Sequence, residues 1–159
     1  MTNYEIIQNR IASLSSLIDM LSSKTFTKFD GLKPAMLPEK MRGVYVIYDI
    51  KSDPSDPKIL YVGRTNDLRR RIYNNHLMGN KSTARLKNHL TISPAYLPIS
   101  DMDLAKKFLK EKCAFKFISF PNDPRNAALA EFGLTSILQP EFLDLKPKEL
   151  SISPQLSEI

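Results

Sequence analysis

Two short apolar runs each carry a tyrosine and a glycine, Gly43-Val44-Tyr45 in the first and Tyr61-Val62-Gly63 in the second. Alternation over residues 42–50 puts Tyr45 and Ile47 on one face of a strand and Val44, Val46 and Tyr48 on the other. Residues 59–62 read as a second short strand. Between them, Ser52-Asp53-Pro54-Ser55-Asp56-Pro57 disfavours continued pairing, which gives an antiparallel hairpin with a long loop. Arg64-Thr65-Asn66-Asp67-Leu68-Arg69-Arg70-Arg71-Ile72 follows at once and reads as the start of a helix, N-capped by Thr65 or Asn66 and ending near Leu77, before Gly79. Leu68 and Ile72 give that helix its buried line, His76 extends it, and Arg71 and Asn75 share an adjacent face. Two phenols on paired strands with guanidinium groups beside them suit one phosphate, and phosphate chemistry at a basic tyrosine cluster points to nucleic acid.

The rest of the chain is built to frame this hairpin. Tyr4, Ile7, Ile11, Leu14, Ile18 and Leu21 recur at helical spacing and predict an amphipathic helix over residues 3–21. Its stripe serves either as a coiled-coil-like dimer seam or as a face packed on its own domain. Pro34 and Pro38 break the connector that follows. Residues 81–90 are basic and predict a short helix; Ser100 and Asp103 start another, to about Lys110, in a capping-box-like arrangement. Residues 114–120 read as a third strand. Asp123 and Pro124 are the N-cap and first residue of a helix that Pro140 stops; this helix is apolar nearly all round, so burial is expected. The expected fold is α+β: a small three-stranded antiparallel sheet flanked by helices, with an N-terminal amphipathic helix. Residues 1–40 form an arm and connector, 41–145 the domain, and 146–159 a loosely ordered tail.

Composition narrows the partners. The 159 residues hold 23 Lys and Arg against 17 Asp and Glu, a formal charge of +6, which favours polyanions without identifying one. A single cysteine, Cys113, excludes an internal disulfide and a cysteine-based zinc site, and reads as a small buried apolar residue. With no secretory signal and no apolar run near the length of a membrane helix, a soluble cytoplasmic protein is expected.

Glu131 sits on the apolar line of Ala127, Leu134 and Leu138, where a carboxylate must be paired with an arginine or bound to a metal. Arg71 can neutralise charge on a phosphorane-like transition state, and a phenol can position or deprotonate water. Arg64, Arg69 and Arg70 fit a phosphate-tracking face or a solvated one, and the basic Lys81, Arg85 and Lys87 extend it. His76 is placed to shuttle a proton, whereas His89 reads as structural or as a nucleic-acid contact. No phosphate-binding glycine loop, His-Glu-x-x-His zinc motif or serine elbow is present.

Together, Gly43-Val44-Tyr45, Tyr61-Val62-Gly63, the Arg71 helix and Glu131 resemble the GIY-YIG nuclease family over residues 42–143. The resemblance implies a metal-dependent endonuclease that hydrolyses DNA phosphodiesters, with Tyr45, Tyr61, Arg71, His76 and Glu131 as catalytic residues. Glu131 would hold one Mg2+ or Mn2+ ion, and Arg64 would touch the phosphate. The competing reading is a catalytically weakened DNA-binding module on the same scaffold. A homodimer through the N-terminal helix is a further expectation. The chain departs from the family pattern in three places. Its inter-tyrosine loop is long, Asn75 stands where relatives have His or Tyr one turn after the arginine, and Leu143 falls near the usual asparagine.

Overall fold

The computed structural model describes residues 1–144. The tail expected from residue 146 lies outside them. Helix α1 (Asn3–Ser23) begins with a capping box in which Thr2 and Glu5 satisfy each other's backbone N–H groups. The sheet comprises β1 (Thr27–Lys28), β2 (Gly43–Asp49), β3 (Lys58–Thr65) and β4 (Cys113–Ser119), in the order β1-β4-β2-β3, with every pairing antiparallel. After β3 comes a π-helix (Arg70–Leu77), then α2 (Arg85–Ile92), α3 (Met102–Lys112) and α4 (Pro124–Leu138).

The architecture is α+β, as expected, but the described sheet has four strands rather than three. The extra strand, Thr27–Lys28, pairs with Phe115 and Ala114. Two residues are too few to show an alternating pattern, so no sequence signal marks them.

Alternation along β2 divides the core as expected. Tyr45 and Ile47 enter a layer built with Leu68, Ile72, Leu86, Leu90 and Leu109. Val44, Val46 and Tyr48 pack on the other face against Leu21, Ala127, Ala130 and Leu134. The sheet is thus sandwiched between α1 and α4 on one side and the π-helix, α2 and α3 on the other. Cys113 is buried, as its surroundings suggest.

Three local readings change. The helix after β3 is capped by Asp67, whose carboxylate accepts from Arg70 N–H at 3.1 Å, rather than by Thr65 or Asn66. Helix α3 is capped by Asp101, which accepts from Asp103 and Leu104, rather than by Ser100. Helix α4 has the expected Asp123 cap but is not buried all round: Leu129, Phe132 and Ile137 are exposed. Its Ala127–Ala130–Leu134 stripe meets the sheet, and among the described residues no layer covers the outer face.

Candidate active site

β2 is hydrogen-bonded on both edges, which fixes the backbone of Tyr45 and aims its ring into the first core layer. Gly63 lies directly opposite across the ladder. A Cβ there would stand 2.5 Å from Tyr45 Cζ and 2.9 Å from Tyr61 Cε1, so only a glycine lets the first phenol cross the second strand. At Gly43 a Cβ would meet the Ile118 carbonyl oxygen at 2.7 Å and a Leu68 methyl at 2.8 Å, so this glycine lets the following helix settle onto the sheet.

Tyr61 reaches the same face in regular register, directly opposite Ile47, and a β-bulge adjoins it. Ile47 pairs with Tyr61 and Tyr48 with Ile59, leaving Leu60 as the extra residue, and both Leu60 and Tyr61 join the Tyr45 layer. The two tyrosine rings stack with centroids 6.2 Å apart, and His76 stands edge-on to both, at 5.4 and 5.2 Å.

His76 arrives by way of the π-helix. The Met78 N–H donates to the Tyr73 carbonyl, five residues back, at 3.0 Å. In an α-helix the residue one turn beyond Arg71 is Asn75; the wider π turn brings His76 to that place instead. Arg71 Nε donates to the Tyr45 hydroxyl at 3.0 Å, and His76 Nε2 lies 2.7 Å from the same oxygen.

Tyr45, Tyr61 and His76 are buried, and Arg71 beside them is half-buried. Tyr45 is 0% exposed and Tyr61 2%. Burial pushes the Tyr45 phenol up to about 12, against the pull of Arg71. Burial also drives the His76 imidazole down to about 3, reinforced by the Arg71 charge, so the ring is neutral near pH 7. His76 Nδ1 has no hydrogen-bond partner among the described residues.

Asp144, which the sequence reading missed, completes the cluster. Its carboxylate accepts from the Tyr61 hydroxyl at 2.5 Å and from Arg85 at 2.9 Å, and lies 3.0 Å from His89 Nε2. Burial pushes this carboxyl up, but the hydrogen bonds from His89, Tyr61 and Arg85 outweigh it and hold the group well below the ordinary carboxylate range. A strap leads to it: Glu141 and Phe142 N–H donate to the Ile59 and Leu60 carbonyls, each at 3.0 Å, along the outer edge of β3. The available signal was Arg85 and His89, one helical turn apart, with a carboxylate beyond Pro140 to meet them.

Glu131 occupies a different position. It projects from α4, on the sheet face opposite the phenols, and pairs with Arg64 Nε at 3.1 Å. Arg64 in turn lies over the Phe132 ring, 5.8 Å from its centroid. Burial raises the Glu131 carboxyl while Arg64 opposes the rise. No hydrogen bond joins Glu131 to the tyrosine cluster among the described residues; its charge is a minor contribution to the rise at Tyr45. Among the described residues no group of three or more His, Cys, Asp or Glu side chains converges. A lone, partly exposed carboxylate fits a hard divalent cation that keeps most of its waters, as Mg2+ does.

The basic residues separate by position. Arg70 and Lys81 are exposed. Arg69 is bound to the Leu37 carbonyl and to Glu39, which fastens the connector to the helix. Lys87, expected among the nucleic-acid contacts, is 2% exposed, and its ammonium donates to the carbonyls of Leu77 and Gly79. It caps the end of the π-helix and does not face a phosphate backbone.

The model of the GIY-YIG catalytic domain matches residues 41–130, more than half of the chain. No curated protein and no solved structure matches. Among the described residues, no helix is long and apolar enough to cross a membrane. The paired tyrosine strands and the arginine helix fall within the match, Glu131 lies one residue beyond it, and the chain belongs to the GIY-YIG catalytic-domain family.

Proposed function

We propose that this chain is a divalent-metal-dependent endonuclease that hydrolyses DNA phosphodiester bonds. The observation that carries this reading is the Tyr45 hydroxyl, held at once by Arg71 and by a neutral His76. A phenol in that setting need not become a free phenolate. It takes a proton from the attacking water while its own proton passes to His76 Nε2, so the relay ends with a histidinium and no buried oxyanion. Arg71 turns its guanidinium to the phosphate in the transition state. Burial is the main reason His76 is unprotonated, and this movement removes the smaller contribution, the repulsion from Arg71. Tyr61 orients the phosphate or the water from the neighbouring strand.

Glu131 would hold Mg2+ or Mn2+ beside Arg64 of β3. The ion, when bound, supplies charge stabilisation for the leaving 3′-oxygen. Arg64, now paired with Glu131, would be available to a phosphate if the carboxylate held an ion. Exposed Arg70 and Lys81 extend the phosphate-facing surface. One of the two departures that favoured a binding-only module is met by another side chain: His76 fills the place of Asn75.

The test is nicking of supercoiled plasmid with Mg2+, with and without chelator, by the wild type and by Glu131→Ala. The wild type nicks only with metal, and the variant loses nicking while its circular dichroism and melting transition stay cooperative. Undiminished cleavage by Glu131→Ala rejects the metal role. DNA binding that falls with salt, with no nicking in Mg2+ or Mn2+, leaves the binding module instead.

A further inference from the structure

Tyr61 has one hydroxyl proton, and Asp144 accepts it. Arg85 and His89, one turn apart on α2, meet the same carboxylate. Three groups from two separate elements thus converge on one anion that belongs to neither element. The anion is carried by the strap after α4, which is anchored as far as Phe142. Phe142 is buried, stacks on His89 with centroids 5.4 Å apart, and donates to β3, while Glu141 pairs with Lys58 at 2.8 Å. Beyond Phe142, among the described residues, the strap is tied down by the Asp144 carboxylate itself. In this state both phenols are covered, and Tyr61 cannot donate to a substrate.

We propose that Tyr61, Arg85 and His89 form a phosphate-binding subsite beside the reacting phosphate, and that Asp144 fills it as an internal competitor until a DNA phosphate displaces it; this rests on the DNA-cleaving reading above. Phosphate is the fitting ligand because the donor set is a planar guanidinium fork, an imidazole and a phenol. Arg71 donates to Tyr45, whose ring stacks on Tyr61, and Arg85 meets the carboxylate that Tyr61 donates to, so both guanidinium groups belong to the surroundings of Tyr61. A carboxylate fixed in the same place repels that strand. Phe142, buried and bonded to β3, is the fixed point about which Leu143 and Asp144 would turn.

The experiment removes the carboxylate in two ways, Asp144→Asn and Asp144→Ala, each with and without Arg85→Ala. A short fluorescent duplex in Ca2+ reports affinity by anisotropy, and inorganic phosphate reports the subsite by thermal shift. Both single variants should bind the duplex roughly tenfold more tightly than wild type, as expected for uncovering a charge-assisted site. Phosphate should raise their Tm but not that of the wild type, and Arg85→Ala should cancel both gains. Unchanged or weaker affinity in both Asp144 variants, with a fall in kcat, would mean that Asp144 merely positions Tyr61, and the proposal is overturned. An Arg85-dependent phosphate shift in a protein that neither binds nor cleaves DNA would leave the subsite standing and reject the nuclease reading.

Discussion

His76 shows how much one buried side chain sets here. It is neutral, covered, and bonded through Nε2 to the phenol on which the proposed chemistry turns. Its folded pKa, about 3, lies below the ordinary 6.5, so the unfolded chain takes up the proton first as pH falls. Stability from this group is therefore complete above about pH 6.5 and is lost as pH falls through the window down to about 3, by up to a few kcal/mol. Urea midpoints at pH 7 and pH 4.5 should show a marked drop for the wild type and a much smaller one for His76→Phe; equal drops would place the acid sensitivity elsewhere. Tyr45, Tyr61 and Arg71 were legible in the sequence because each is fixed by spacing within one hairpin and the helix that follows. Asp144 was not, because its role depends on a strap that returns to β3 from the far end of α4, a contact 83 residues from Tyr61 in sequence.

Among the elements, the π-helix decides which residue faces Tyr45. A regular helical count assigns Asn75 to the turn above Arg71, and the single extra residue of the π turn replaces it with His76. Deleting Asn75 should relax this segment to an α-helix and leave the histidine one turn from Arg71. That variant is expected to fold and to retain at least about a tenth of wild-type nicking, whereas His76→Ala falls by roughly a hundredfold or more. The reverse order, with the deletion as damaging as the alanine, would show that the π geometry itself is required. Lys87 was misread for a related reason: its place in a basic run suggests solvent, but the carbonyls left open at Leu77 and Gly79 draw its ammonium inward. The apolar composition of α4 likewise overstated its burial, since composition reports what a helix is able to cover and not how many layers the fold supplies.

At the scale of the molecule, the amphipathic stripe of α1 is divided in two. Leu17, Ile18 and Leu21 pack toward the sheet and Leu14 meets Gly133 of α4, while Tyr4, Ile7 and Ile11 stay exposed, as do Leu129, Phe132 and Ile137 of α4. A homodimer through the exposed half is the expectation that pairs two single-strand cutting sites. If it forms, Ile11→Asp lowers the mass seen by light scattering from dimer to monomer and leaves single-strand nicking intact; a wild type that is monomeric at high concentration removes the dimer from the account. The α+β class and the flanking helices were readable from periodicity, and the fourth strand was not, since a two-residue edge has no period. The central claim, that a relay through the Tyr45 hydroxyl breaks a DNA phosphodiester, is tested most directly by Tyr45→Phe, which keeps the ring and deletes the one oxygen shared by Arg71 and His76. Single-turnover cleavage in Mg2+ should fall by roughly a hundredfold or more while duplex affinity in Ca2+ is unchanged. Cleavage by Tyr45→Phe at the wild-type rate would contradict the account.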